Sequence, residues 1–190
     1  MIETLIAVLL SLPLPWYEPG EAPETRAERD DRVAMIGRVI VEETAAPAEQ
    51  MPWTHAELAS VTATILWYES WRFRLDVHDG TRRGDDGDSI GLPQAHRGPW
   101  IDGAEWEALA GTDEAATRRA VAYAVRVVAF HLDRCRVRGW SEHAAAIVIS
   151  GYGTGYSCDP SLGFASRRAR FAGRLLGRVL SSAETRVAAM

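Results

Sequence analysis

Residues 54–69, THAELASVTATILWYE, constrain the fold more than any other stretch. Thr54-His55-Ala56-Glu57 reads as a capping box: the Thr54 hydroxyl takes one orphan N–H of a helix start and Glu57 reaches back to another. Leu58, Val61, Ile65 and Tyr68 then recur at helical spacing, one apolar face that must pack on something. The helix should end near Ser70 or Trp71, which puts a lone acid, Glu69, in its last turn. A stretch rich in Gly and Asp follows, RLDVHDGTRRGDDGDS from Arg74 to Ser89. The chain is therefore expected to be helical up to Glu69 and irregular beyond it.

Other segments supply partners for that helix. Val33, Ile36, Val39 and Ile40 mark a second helical face, with Pro23 suited to its first turn and AAPAEQMP at 45–52 breaking it. Residues 74–90 have turn composition and room for a short hairpin. Asp102-Gly103-Ala104-Glu105 is a second, weaker capping box. Thr112 opens a long helix through about Arg136, with Ala120, Val121, Ala124, Val128 and Leu132 on one face. Ser141 opens a buried helix, SEHAAAIVIS, which GYGTGYSCDP interrupts, and a last helix runs from about Ala165. The fold class is α+β, mostly helical, with one small irregular or β lobe directly after Glu69. At 190 residues and 47% hydrophobic composition the chain suits one globular body with a sizeable core. We divide it into an N-terminal helical extension over 1–48, packed on a domain over 49–190.

Charge and cysteine content narrow the function classes. The net charge of -5 speaks against a nucleic-acid partner, which would need a basic face. Arg167, Arg168, Arg170, Arg174 and Arg178 read as the solvated face of an amphipathic helix. The start, MIETLIAVLLSLPLPWYEPGE, has Glu3 where a signal peptide has a positive charge and no small-x-small cleavage site. Its apolar run breaks at Pro13, too short to span a bilayer. A short helix packed on the domain is expected there, with no conventional export signal and no membrane span. Cys135 and Cys158 are no disulfide framework; they form one bridge or stay as two buried thiols. His131 and Cys135 share a helix face at i, i+4 and hint at zinc with Cys158, but the ligand set is incomplete. GDDGDS resembles part of a calcium loop whose closing glutamate is replaced by His96. The Arg-Gly-Asp triplet at 83–85 reads as chance. Neither a metal nor a cofactor is expected.

Glu69 is the residue with chemical promise. The C-terminal end of a helix is the negative end of its dipole, and Trp67, Tyr68 and Trp71 can shield the carboxyl from water. Both effects raise a carboxyl pKa. An acid that keeps its proton near neutral pH is what cleavage of an acetal C–O bond requires. A second carboxylate, if one is used, would come from Asp76, Asp79, Asp85, Asp86 or Asp88, with Asp79, followed by Gly80, the favoured base.

Glu69-Ser70, then Ser89, Gly91-Leu92-Pro93-Gln94, and later Tyr152-Gly153-Thr154-Gly155, taken in this order, resemble the lysozyme-like superfamily. The resemblance is closer to its soluble lytic transglycosylase domains, whose pattern is Glu-Ser, a short lobe, a Gly-Leu-Met-Gln type motif and an Ala-x-Tyr-Asn-x-Gly type motif. It spans about residues 54 to 158. It implies a lysozyme-like fold and an enzyme that cleaves the β-1,4 bond between N-acetylmuramic acid and N-acetylglucosamine in peptidoglycan, with 49–190 as the catalytic domain. Glu69 matches the catalytic acid and Ser70 the serine that orders it. Ser89 and Gln94 match polar groups of the sugar cleft, Gly91 a close backbone approach there, and Tyr152 the tyrosine facing the acid. Pro93 stands where Met is common and Gly153 where Asn is common. One glutamate would protonate the leaving oxygen and then take the proton of the muramic acid C6 hydroxyl, giving 1,6-anhydro ends. A two-carboxylate lysozyme, or an inactive structural or glycan-binding relative, are the other outcomes. A Cys135–Cys158 bridge would hold the Tyr152 segment in place. The missing export signal suggests a phage enzyme, virion- or tail-associated beside phage structural proteins, or released to the periplasm and cell wall.

Overall fold

The computed structural model describes residues 1–13, 15, 17, 24–98, 101 and 103–188, with side chains through Ser181. Pro23 and Asp102, expected at helix starts, lie outside these residues. The described chain is mostly helical with one small antiparallel sheet. The helices are α1 (Ile2–Leu10), α2 (Arg26–Ala48), α3 (His55–Glu69), α4 (Leu75–His78), α5 (Gly103–Glu107), α6 (Glu114–Arg134), α7 (Glu142–Thr154) and α8 (Gly163–Ala188). Strands β1 (Ser89–Ile90) and β2 (Ala95–His96) pair between α4 and α5, Ser89 opposite His96 and Ile90 opposite Ala95. Among the described residues no helix is long and apolar enough to cross a membrane.

α3 is the centre of the body. Its start is the expected capping box, with Glu57 N–H donating to Thr54 Oγ1 and Thr54 N–H to Glu57 at 2.7 Å. A single apolar face was expected, but every residue from Leu58 to Trp67 is buried. α2, α6 and α8 all pack on this one helix. Small and hydroxyl-bearing residues make that possible: Ala59, Ala63 and Thr64 let neighbours close in, and Thr64 returns its hydroxyl to the Ser60 carbonyl at 2.8 Å. The apolar N-terminal run forms α1 and buries Leu5, Val8 and Leu9 against α2 and α8, in one core with α3, α6 and α7.

Three element boundaries differ from the sequence reading. α2 runs on to Ala48 with Pro47 in its last turn, where the missing N–H removes only a terminal bond. α6 is capped by Asp113, whose carboxylate takes the Ala116 N–H at 2.9 Å, not by Thr112. α7 does not stop before GYGTG but continues through Thr154 and ends on Gly155 in the left-handed conformation, φ +77°. Its glycines serve packing. A side chain at Gly151 would strike the His131 ring, and one at Gly153 would lie 2.8 Å from the Phe164 ring.

The lobe between α4 and α5 has its own small core of Ile90, Ala95, Ile101, Trp106 and Leu109. It is rooted on the helical body by a buried polar chain. Arg32 of α2 pairs with Glu24, donates to the Phe73 carbonyl at 2.9 Å and faces Nδ1 of His78 at 3.4 Å. Nε2 of His78 meets Thr117 Oγ1 of α6 at 3.0 Å, and that hydroxyl donates on to the Asp113 carbonyl. Burial first, and then the Arg32 charge, push the His78 pKa down from 6.5 to about 3. An unfolded chain would bind the proton that the fold refuses. The stability of the neutral network is therefore full above the ordinary histidine value and is lost as the pH falls towards 3, by up to about 1.4 kcal/mol per pH unit. His78→Gln should flatten the dependence of urea-unfolding stability on pH between about 6 and 4; an unchanged slope would show that His78 titrates alike in both states.

Candidate active site

The end of α3 decides where Glu69 points. Glu69 is its last helical residue, Ser70 the C-cap and Trp71 the next residue, with φ +50°. The Trp71 N–H returns to the Tyr68 carbonyl at 3.2 Å and the Arg72 N–H to the Trp67 carbonyl at 2.6 Å. Those two bonds make a Schellman motif, in which the left-handed position is usually glycine. Here it is Trp71, and Arg72 and Phe73 stay left-handed after it at φ +71° and +59°. The fully buried Ser70 side chain locks this turn, donating to the Leu66 carbonyl at 2.5 Å and accepting the Phe73 N–H at 2.9 Å. Ser70 thus orders the turn beside Glu69.

A cavity of about 740 Å³ opens over Glu69 between the helical body and the lobe. Tyr123, Arg126, Phe130 and His131 of α6 form one side, and Tyr152, Gly153, Thr154 and Gly155 at the end of α7 continue it. The lobe contributes Gly84, Asp85, Ser89, Gln94, Ala95 and His96, and Trp71 stands beside Glu69. Tyr152 bridges the two sides. Its hydroxyl donates to the Pro93 carbonyl at 2.8 Å. Burial first, and then the Glu69 charge, raise its pKa well above the ordinary tyrosine value. The Pro93 N–H is absent, but it is the carbonyl of Pro93 that the tyrosine uses.

Glu69 is partly buried and its pKa is raised, with loss of hydration the largest cause. Arg168 opposes that rise through its charge and hydrogen bond, and the Asp85 charge adds to it. Arg168 of α8 donates from Nη1 to Glu69 Oε1. Its guanidinium carbon lies 5.1 Å from the Tyr68 ring centroid and 5.3 Å from that of Phe164. The arginine run of α8 is thus not wholly a solvated face. The spacing held the signal: Arg168 is three residues after Ala165 and four before Ala172, both fully buried, so it borders the packed stripe.

The other expected residues divide. Ser89 and Gln94 line the cavity, Ser89 donating to Asp85 Oδ2 at 2.6 Å and Gln94 Nε2 to the Gly91 carbonyl at 3.1 Å. Gly91 does not line it. With φ +68° it makes a turn, and a Cβ there would lie 2.5 Å from the Leu109 carbonyl oxygen, so it serves the packing of the lobe on the segment that follows α5. Asp79 is also away from the cavity lining, and accepts the Thr81 N–H and hydroxyl at 2.8 and 2.7 Å. Asp85 is the lobe carboxylate in the cavity. Cys135 and Cys158 form a disulfide with Cα atoms 5.7 Å apart, which removes Cys135 as a zinc ligand beside His131. Among the described residues no group of three or more His, Cys, Asp or Glu side chains is placed to hold a metal ion. Arg83 of the Arg-Gly-Asp triplet pairs with Glu107 at 2.9 Å.

No protein-family model matches this chain, and neither a curated protein nor a solved structure compared with it matches either.

Proposed function

We propose that this protein has a lysozyme-like fold and cleaves the β-1,4 N-acetylmuramic acid to N-acetylglucosamine bond of peptidoglycan, with Glu69 as general acid and base. The observation that carries this reading is the partly buried, raised-pKa carboxyl of Glu69 facing a cavity between the helical body and the lobe. A carboxyl whose pKa is raised by loss of hydration holds its proton to higher pH, and can donate it to the glycosidic oxygen as the C–O bond breaks. The resulting carboxylate then takes the proton of the muramic acid C6 hydroxyl, whose oxygen closes on C1. The intramolecular attack gains a large entropic advantage. Ser89, Gln94 and Tyr152 are the polar groups that would position the sugars.

One observation favours a hydrolytic variant. Asp85 shares the cavity with Glu69, so a carboxylate is on hand to direct a water to C1. Mass spectrometry of the sugar ends after digestion of purified peptidoglycan separates the two. Anhydro ends, lighter by one water, support the single-glutamate route. Reducing ends that depend on Asp85, shown by a large loss of rate in Asp85→Asn, support the lysozyme route. Intact glycan strands in both digests would refute cleavage altogether.

Arg168 also makes the acid testable through pH. A general acid works while protonated, so activity should fall as the pH rises through the Glu69 pKa. Arg168→Gln removes the charge that opposes the raised value, so that alkaline limb should move to higher pH. A limb that stays in place would mean that another group controls it.

A further inference from the structure

Trp71 is the feature that neither packing nor the proposed proton transfers explain. Among the described tryptophans it alone is exposed, at 57%, whereas Trp53, Trp67 and Trp106 are at most 7% exposed. It occupies the left-handed position of the Schellman motif, which favours glycine, at φ +50°. A side chain held there pays a conformational penalty and, being exposed, returns little through burial. Strain of this kind collects where a side chain is presented for use. The place of presentation is specific: two residues from Glu69, on the lining of the same cavity. The guanidinium carbons of Arg82 and Arg74 lie 5.2 and 5.9 Å from the indole centroid, and both arginines are fixed by Asp76. These cations steady the ring while more than half of the residue stays open.

We propose that Trp71 is the stacking surface of a sugar subsite adjoining Glu69, its ligand an N-acetylhexosamine ring of a β-1,4-linked glycan. A pyranose ring offers an apolar face of C–H groups to an indole, while its hydroxyl and amide groups remain free for partners. The cavity supplies such partners in Gln94, Ser89 and Tyr152. The subsite rests on the glycan reading above.

The test uses the full chain with Glu69→Gln as parent, so that the probe is not cut. A β-1,4-linked N-acetylglucosamine oligomer and a purified peptidoglycan glycan strand are titrated by calorimetry, and Tm is measured for each protein. Adding Trp71→Gly should weaken binding by about tenfold or more, the size of losing one well-placed aromatic contact. Its Tm should stay level or rise, because glycine suits the left-handed position. Trp71→Phe should bind more tightly than Trp71→Gly. Equal binding by the parent and Trp71→Gly overturns the subsite and leaves the glycan reading standing. Weaker binding together with a marked fall in Tm assigns Trp71 to packing and also overturns it. A parent that binds neither probe overturns the glycan reading, and the subsite with it.

Discussion

Glu69→Gln should lose ~10²-fold or more of the peptidoglycan-cleaving rate while keeping its fold, the loss expected when a general acid is removed. The amide keeps the shape of the carboxyl and can still accept from Arg168 Nη1, so the turn around Ser70 and Trp71 has no reason to move. What disappears is the dissociable proton. A loss of ~10²-fold is about 2.7 kcal/mol of barrier. The check is turbidity loss of purified cell walls, with Tm and far-UV circular dichroism showing an unaltered fold. Near wild-type lysis by a folded Glu69→Gln protein would end the assignment. Loss of lysis with retained glycan binding would place the defect in chemistry.

Removal of the Cys135–Cys158 bridge should cost about 3 kcal/mol of stability, because the cross-link closes a loop of 23 residues and takes that freedom from the unfolded chain. Cys135 caps the end of α6 and Cys158 follows α7, so the enclosed segment includes the whole of α7 and the cavity side from Tyr152 to Gly155. At roughly 2–4 °C per kcal/mol for a chain of this size, Tm should fall by about 6–12 °C in the Cys135→Ser, Cys158→Ser variant. Reductant should lower the wild-type Tm by a similar amount and leave the variant unchanged. Equal Tm values for wild type and variant would show that the bridge does not constrain the unfolded ensemble. Amide exchange should also quicken first between Gly155 and Cys158, the stretch after α7 that the bridge ties to the end of α6.

The two predictions depend on different levels of information. The end of α3 at Glu69 was legible in the sequence, because a capping box and a helix terminus are settled by hydrogen bonds that span a few residues. The mostly helical class and the small lobe after Glu69 followed from apolar spacing and from the Gly and Asp content of 74–90. The helical state of Tyr152 was not legible. Gly151 and Gly153 read locally as helix breakers, and only the His131 and Phe164 rings pressed against them show that they admit neighbours. Asp79 and Asp85 are alike in composition and loop context. Which of them enters the cavity depends on the turn that hands Asp79 to Thr81 and Asp85 to Ser89. Arg168 lies 99 residues from Glu69, and no local rule joins them. The sequence by itself determined the helix that ends in an acid and the polar lobe beside it, since both are short-range choices of the backbone. The tertiary structure alone decided the environment of that acid, because burial by α8, the Arg168 charge and the Asp85 charge arise only when distant segments are packed together.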